Sequence, residues 1–321
     1  MKAKYFFLAV AASAMLSACS NDEGESPKFD GIIRLTTSSI DMNTRAEQSI
    51  QGTLFDAGES VDIFLKDALD DGSGTPGSDY TVYPQPLVTT TTKETAKNNL
   101  NFATTQIWPI NNHSLNIWAV YPSGSAGTSD VDVTTTSIPF TVQTDQSTTV
   151  AYKASDLMTG VAANPVAPSE NTMEIPLVFT HLLSKVNVNL SKTAATTTIT
   201  DEQLATAKVY IMNTKPTTTF APQTTEVTVA SGDATEIFVG EGIASSAILV
   251  PQTVAGGKEY IKVVIGDDTF IYSIPTGGIT LEAKKVHTYD IKIHKASIIL
   301  TATITDWESA GENVNGTGYI Q

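Results

Sequence analysis

The sequence feature that most constrains the fold is a recurring pattern of short alternating runs, apolar then polar, separated by turn-forming residues. Threonine occurs 47 times, together with many valines and isoleucines. β-Branched side chains lose rotamer freedom in helices and fit a pleated surface well. Glycine-containing turn formers lie between the runs, at residues 72–77, 256–257, 266–268 and 277–278. Many short strands with such punctuation predict an all-β fold of antiparallel β-sandwiches.

The alternation predicts individual strands at residues 60–65, 114–121, 184–190, 208–212, 226–229, 247–250, 260–265, 269–274, 288–293 and 298–305. Residues 200–205 predict one short helical turn, with Thr200 as its cap. The threonine runs at 89–92, 134–136, 196–198 and 217–219 are interpreted as exposed strand faces or loops.

A proline-containing stretch predicts the division of the body into two domains. Pro165 and Pro168 lie among small and polar residues, which resist both helix and central strand. We therefore place an interdomain link at residues 164–174. The predicted domains are an N-terminal one, 46–168, and a C-terminal one, 169–321.

The first 18 residues predict a lipoprotein signal peptide. Lys2 and Lys4 precede an apolar run, 5–16, which is shorter than the roughly 20 residues of a membrane-spanning helix. Residues 16–19, Leu-Ser-Ala-Cys, resemble a bacterial lipobox, after which the cysteine is diacylated and becomes the new N-terminus. Cys19 is the single cysteine of the chain, and no Cys/His cluster competes for it. A plain signal peptide cut near Ala18 is the alternative.

The composition after Cys19 favours an extracytoplasmic protein that does not bind nucleic acid. The polar, acidic residues 20–25 resemble the export tag of Bacteroides-type surface lipoproteins, with a solvated linker as the alternative. The formal net charge is −15, whereas a phosphate backbone is held by clusters of Lys and Arg. Arg34 and Arg45 are the only two arginines, and both lie near the N-terminus.

No residue pattern in the chain predicts catalysis, a cofactor or a metal. His113, His181, His287 and His294 are scattered and form no HExxH pair, and GxSxG and phosphate-binding glycine loops are absent. Acidic pairs such as 70–71 and 267–268 adjoin glycines, as is typical of turns. Paired glycosidase carboxylates meet only in space, so the sequence leaves them open. We expect a protein that is not an enzyme.

Seven segments, taken in order behind the lipobox, carry a family resemblance: Asn116-Ile-Trp-Ala-Val-Tyr-Pro122, Ala154-Ser-Asp-Leu-Met-Thr-Gly160, Phe179-Thr-His-Leu-Leu-Ser-Lys-Val186, Ala247-Ile-Leu-Val-Pro-Gln252, Tyr260-Ile-Lys-Val-Val264, His287-Thr-Tyr-Asp-Ile291 and Ile304-Thr-Asp-Trp307. Together they resemble the fimbrillin family, the Bacteroides-type subunits of type V pili. The resemblance implies two tandem transthyretin-like β-sandwiches and a structural, adhesive role in a surface fimbria.

The resemblance also implies a route of assembly. Such precursors are exported as lipoproteins to the outer membrane, and an arginine-specific protease removes the N-terminal segment. A C-terminal strand of another subunit then fills the groove that is left, so the partners are other pilus subunits. Thr44-Arg45-Ala46 matches the cleavage position, which makes residues 19–45 a lipidated propeptide. Within it, residues 31–40 are expected to form the strand that is lost.

The candidate donor strand contains Ile298, Leu300, Ala302 and Ile304, which alternate with more polar residues. The tail that follows, 308–321, has three glycines and few apolar residues, which makes it a poorer donor. Stalk, anchor, accessory and tip positions therefore all stay open.

A surface-anchored lipoprotein that binds glycans or other ligands without polymerising is the alternative function. Trp108, Trp118 and Tyr121 are the aromatic residues that would stack on a sugar, although an alternating strand more often buries such side chains in a core. An extracellular hydrolase is a third, less favoured hypothesis.

Overall fold

The computed structural model describes residues 29–37, 55–68, 83, 85–94, 97–109, 113–126, 137–163, 165–169, 174–193, 199–294, 297–307 and 317–319. The described chain is all-β, with two short helices, α1 (Thr149–Ser155) and α2 (Asp201–Ala205). Its strands, in chain order, are β1 Leu35–Thr37, β2 Ser60–Asp67, β3 Leu87–Lys93, β4 Asn98–Phe102, β5 Leu115–Tyr121, β6 Ile138–Thr141, β7 Met158–Val161, β8 Ile175–His181, β9 Ser184–Lys192, β10 Lys208–Thr214, β11 Thr217–Phe220, β12 Thr235–Glu241, β13 Ala244–Leu249, β14 Gln252–Val254, β15 Glu259–Ile265, β16 Asp268–Ser273, β17 Ile279–Leu281, β18 Lys285–His294, β19 Ser297–Asp306 and β20 Thr317–Tyr319.

Seven strands of the N-terminal half close into a barrel, in the order β1-β4-β3-β2-β5-β7-β8. The predicted antiparallel β-sandwich differs from this half of the chain in two respects. The sheet closes on itself, and the closing pair, β1 with β8, is parallel. The reason is that β1 pairs with β4 on one side and β8 on the other, which joins the two ends of the sheet.

The barrel includes a strand beyond the predicted division at residues 168 and 169. Ile175, Leu177 and Phe179 of β8 alternate inward and are at most 3% exposed, so this strand completes the first core. The pairing changes over to the second set of sheets between His181 and Ser184. The division into two domains itself stays a prediction.

The C-terminal half contains two larger sheets around one core. One has the order β12-β10-β15-β16, and the other β13-β9-β18-β19-β20, in which β9 and β18 are parallel. The pair β14–β17 adds a small third sheet. Inward residues such as Val209, Ile261, Val188 and Ile291 are fully buried in the shared core. Two sheets that face each other over one core match the sandwich predicted for this half.

The two halves are joined by strand pairing and by side chains. Strand β6 of the N-terminal half pairs with β11 of the C-terminal half, and Phe140 meets Phe220 edge to face at 6.5 Å. The buried side-chain amide of Gln146 accepts from Ile248 N at 2.8 Å and donates to Ile248 O at 2.9 Å. The Gln146 side chain thus forms the two hydrogen bonds with the backbone of β13 that a neighbouring strand would form.

Nine of the ten predicted strands overlap observed strands, and the prediction for 226–229 is wrong, because there Val227 forms only an isolated bridge. The predicted cap is confirmed: Thr200 and Gln203 form a capping box at the start of α2. No helix in the described part of the chain has the length and apolar character needed to cross a membrane.

Candidate functional site

The candidate site is the seam where β1 closes the barrel. Leu35 is aligned with Leu100 of β4 and with Ile175 of β8, and Thr37 is aligned with Leu177. Strand β1 is therefore hydrogen-bonded on both of its edges. Within the described sheet, β4 and β8 have no other strand on those edges, so β1 alone satisfies the backbone groups that line the seam.

Apolar side chains fix the segment that contains β1, which we call the closing segment, residues 29–37. Ile33 and Leu35 are each 2% exposed and belong to the barrel core, with Leu100 and Leu177. Residues two apart on a strand point to the same face, so these two side chains enter the core side by side. Burial of each is worth about 1.5–3 kcal/mol relative to exposure.

Backbone contacts extend the seam beyond the three residues of β1. Ile33 N donates to Gln106 O, and Trp108 N donates to Gly31 O, both at 2.9 Å. At the other end, Asn98 N donates to the Thr37 hydroxyl oxygen at 3.0 Å. The Phe29 ring lies 6.2 Å from the Trp108 ring, which is buried. The closing segment is thus fixed along its whole length.

Two ion pairs lie on the outer surface of the seam. The Arg34 guanidinium donates to both carboxylate oxygens of Asp30, at 2.9 and 2.5 Å. These two hydrogen bonds, together with the one from the Ile32 N–H, hold the pKa of the Asp30 carboxyl well below its usual range. Lys97, next to β4, pairs with Glu174, next to β8, at 2.5 Å. Solvent screens exposed pairs of this kind, so the buried side chains dominate the stability of the seam.

A polar cleft of about 310 Å³ runs beside β1 and is lined by residues that include Arg34, Asn99, Asn101, Gln106 and Glu174. It is part of the same seam. Of the described residues, no group of three or more His, Cys, Asp or Glu side chains is placed to hold a metal ion.

The predicted donor residues lie in β19, which is already paired. Strand β19 pairs with β18 over ten residues, and β20 pairs with its Ile299, Leu300 and Thr301. The Leu300 side chain is 1% exposed, whereas Ala302 and Ile304 are half-buried. Ile298 lies on the strand as well, opposite Ile293. The role of these four residues as donor stays a prediction.

The end of β19 is anchored where the two halves meet. The Trp307 ring stacks on the His181 imidazole, with ring centroids 4.0 Å apart and planes 10° apart. Trp307 N donates to Lys284 O at 2.7 Å, and His181 Nδ1 lies 2.8 Å from the buried carboxylate of Asp156. The chain is therefore tied to both halves just before the tail begins.

The remaining predicted residues divide into two groups. Cys19, Arg45 and Ala46 lie outside the described residues. Trp108, Trp118 and Tyr121 are at most 5% exposed, so none of them presents a ring for stacking on a sugar.

Sequence reasoning found the closing segment but missed its neighbours β4 and β8. Polar Asn98, Asn99 and Asn101 conceal the alternation of β4, although Asn98 is fully buried and donates to Phe55 O. In β8, Pro176 lies between inward residues, and a proline within a run argues against a central strand. The inward alternation of Ile175, Leu177 and Phe179 was the available signal.

The fimbrillin-like family model matches residues 44–307, which is most of the chain. The chain belongs to the fimbrillin-like family. A search of the curated proteins found no match. The match to the family model begins at Thr44, seven residues after the end of the closing segment and next to Arg45.

Two solved structures share the fold of this fimbrillin-like chain, and a third is more distantly similar. A proposed cell adhesion protein from Bacteroides uniformis is 20% identical, with a TM-score of 0.61 over 87% of this chain and 98% of that chain. A second one, from Bacteroides ovatus, is 17% identical, with a TM-score of 0.61 over 86% and 96%. The tip fimbrial protein Mfa3 from Porphyromonas gingivalis is 10% identical, with a TM-score of 0.48 over 86% and 100%.

Proposed function

We propose that this fimbrillin-like chain is a structural subunit of a surface fimbria that contributes to adhesion. It is exported as a lipoprotein through Cys19 to the outer membrane, cleaved between Arg45 and Ala46 by an arginine-specific protease, and joined to other subunits by head-to-tail strand exchange. Membership of the family supports the fimbrial role. The observation that carries the exchange is that β1, which alone closes the barrel seam, lies before the proposed cut.

Loss of the closing segment leaves a site that fits an incoming strand. Strands β4 and β8 become open edges, and the places of Ile33 and Leu35 become empty apolar pockets. Unpaired backbone groups and empty pockets are both unfavourable, and an added strand satisfies both. Because β1 runs parallel to β8, an incoming strand in the same direction reproduces the existing hydrogen bonds. The donor and acceptor surfaces differ, so the contact need not close and builds a filament.

The C-terminal end supplies the donor, and two parts of it differ in how firmly they are held. Strand β19 has ten paired positions with β18 and ends at the Trp307 stack. Strand β20 has only three paired positions, at the edge of its sheet. Release of β20 with the tail breaks far fewer contacts than release of β19. We therefore place the donor first in residues 308–321, and the β19 residues Ile298, Leu300, Ala302 and Ile304 are the alternative donor.

Controlled cleavage with matched variants tests the proposal. Digestion with an arginine-specific endoproteinase is expected to produce ladders in mild-detergent gels for the wild-type chain. Arg45→Lys, which keeps the charge and removes the cut, should give none. Deletion of residues 308–321 should abolish ladders after normal cleavage, which assigns the donor to the tail. Ladders that persist in the deletion variant would indicate that β19 is the donor. A cleaved, folded wild-type chain that stays monomeric at high concentration would contradict the proposed polymerisation.

A further inference from the structure

We propose that the Arg34–Leu35 peptide bond is a second arginine-specific cleavage site, which the fold protects until β1 leaves the barrel. The inference rests on the proposed function, which supplies the protease and the strand exchange. Arg34 and Arg45 are the only arginines in the chain, so the bond after Arg34 is the one other target of such a protease.

The position of Arg34 gives a cut there a specific effect. It lies between Ile33 and Leu35, the two side chains that anchor the closing segment in the barrel core. The N-terminal segment released by the cut after Arg45, residues 19–45, is here called the leader. An intact leader carries both anchors, so it is able to rebind the groove and to compete with a donor strand. Hydrolysis after Arg34 leaves one anchor on each fragment, so neither fragment keeps the full set of contacts.

The bond is protected through its backbone rather than through its side chain. Arg34 O accepts from Ile175 N, and Ile33 N donates to Gln106 O, both at 2.9 Å. Leu35 is aligned with Leu100 on one side and with Ile175 on the other. A protease that binds its substrate as an extended strand needs one of these edges, and both are occupied.

The Arg34 side chain itself is accessible. It is 40% exposed and paired with Asp30 on the surface. The Arg34 side chain that the protease recognises is therefore accessible in the folded chain, whereas the Arg34–Leu35 peptide bond is not. Cleavage requires that the closing segment first separate from β4 and β8.

Hydrolysis also makes the loss of the strand irreversible. Water adds across the bond, so that Arg34 ends in a carboxylate and Leu35 begins with an ammonium group. Rebinding would carry both new charges to the seam, beside a residue that is 2% exposed. Burial of a charge without a partner is strongly unfavourable, which keeps the groove open for the donor strand.

Arg45→Lys in the full chain tests the protection directly, because Arg34 is then the single arginine. The reference is a synthetic peptide of residues 29–44, in which the same bond is unfolded. An arginine-specific endoproteinase is expected to cut Arg34–Leu35 at least about tenfold more slowly in the folded variant than in the peptide, since only the opened population is a substrate. Leu35→Ala, added to Arg45→Lys, should raise the rate. Equal rates in the folded variant and the peptide would overturn the inference.

Time-resolved mass spectrometry of the wild-type chain tests the order of the cuts. A chain that begins at Ala46 should appear first, with the leader still intact and bound. An excess of a synthetic peptide of residues 29–37 that carries Arg34→Lys should displace the leader and trigger its cleavage after Arg34. A displaced leader that stays uncut would overturn the inference alone. Absence of the chain that begins at Ala46 would instead refute the proposed processing after Arg45. In that case, the cleavage rates of the folded Arg45→Lys variant and of the peptide still test whether the fold protects the bond after Arg34.

Discussion

His287 shows at the scale of one residue how the second core depends on a neutral side chain. It is 1% exposed on β18, and its Nε2 accepts from Glu282 N at 3.2 Å. Burial lowers the pKa of His287 to about 4, from an ordinary value of 6.5. Between these two values the unfolded chain binds more protons than the folded chain. Stability is therefore full above pH 6.5 and falls as the pH decreases towards 4.

We predict that this histidine lowers the free energy of unfolding by about 2 kcal/mol between pH 7.5 and pH 5. Urea denaturation of the wild-type chain at the two pH values measures the change. His287→Gln keeps an acceptor for Glu282 N and removes the titration, so its decrease should be smaller by about the same amount. An equal decrease in both proteins would show that His287 does not cause it.

At the scale of elements, β1 is the strand on which the proposed strand exchange depends. It is aligned with β4 at two positions and with β8 at three, and Leu35 is its one apolar side chain. Leu35→Ala leaves a cavity next to Leu100, a change that costs about 2–5 kcal/mol in well-packed cores. We predict local opening of the seam, with amide hydrogen exchange at Leu100 and Ile175 at least about tenfold faster than in the wild-type chain.

Amides of β18, in the second core, should keep their exchange rates in the Leu35→Ala variant. Arg34→Lys is the matched surface control and should leave the exchange of β4 and β8 within about twofold. Equally faster amide exchange in both halves would contradict the prediction that β1 opens independently of the second core.

The strands that the sequence predicted are those whose alternation is apolar and uninterrupted, such as β5, β9 and β15. The threonine run 89–92 of β3 predicts an exposed strand face or loop, because both faces of the strand carry the same polar side chain there. Thr89 and Thr91 are buried nevertheless, because their hydroxyls donate to Val61 O and Asp56 O. Buried hydrogen bonds of this kind depend on partners about 30 residues away, which no local pattern reveals.

Sequence reasoning also missed closure of the barrel. Residues 31–40 are expected to form a strand, but the partners of that strand are far along the chain. Leu35 is aligned with Leu100 of β4, 65 residues later, and with Ile175 of β8, 140 residues later. No local pattern in the sequence indicates such pairing. Helix α1 was missed for a different reason. Its β-branched start at Thr149 and Val150 favours strand, while Thr148 caps it and Tyr152 packs into the core.

At the scale of the whole molecule, the closing segment and β19 lie in different halves of the described chain. The closing segment completes the barrel, whereas β19 ends at the Trp307 stack and pairs with β20 at the edge of its own sheet. Between them, β6–β11 pairing and Gln146 connect the halves. In the proposed strand exchange, the acceptor therefore lies in one half and the donor in the other, as a head-to-tail filament requires.

Determination of the N-terminal residue of subunits in assembled surface material tests the central claim most directly. Fimbriae sheared from cells, purified and analysed by N-terminal sequencing and intact mass, should contain chains that begin at Ala46 and lack the closing segment. Subunits within fibres that still begin at lipidated Cys19 and retain residues 29–37 would contradict the account, because their barrels would have no open seam for a donor strand.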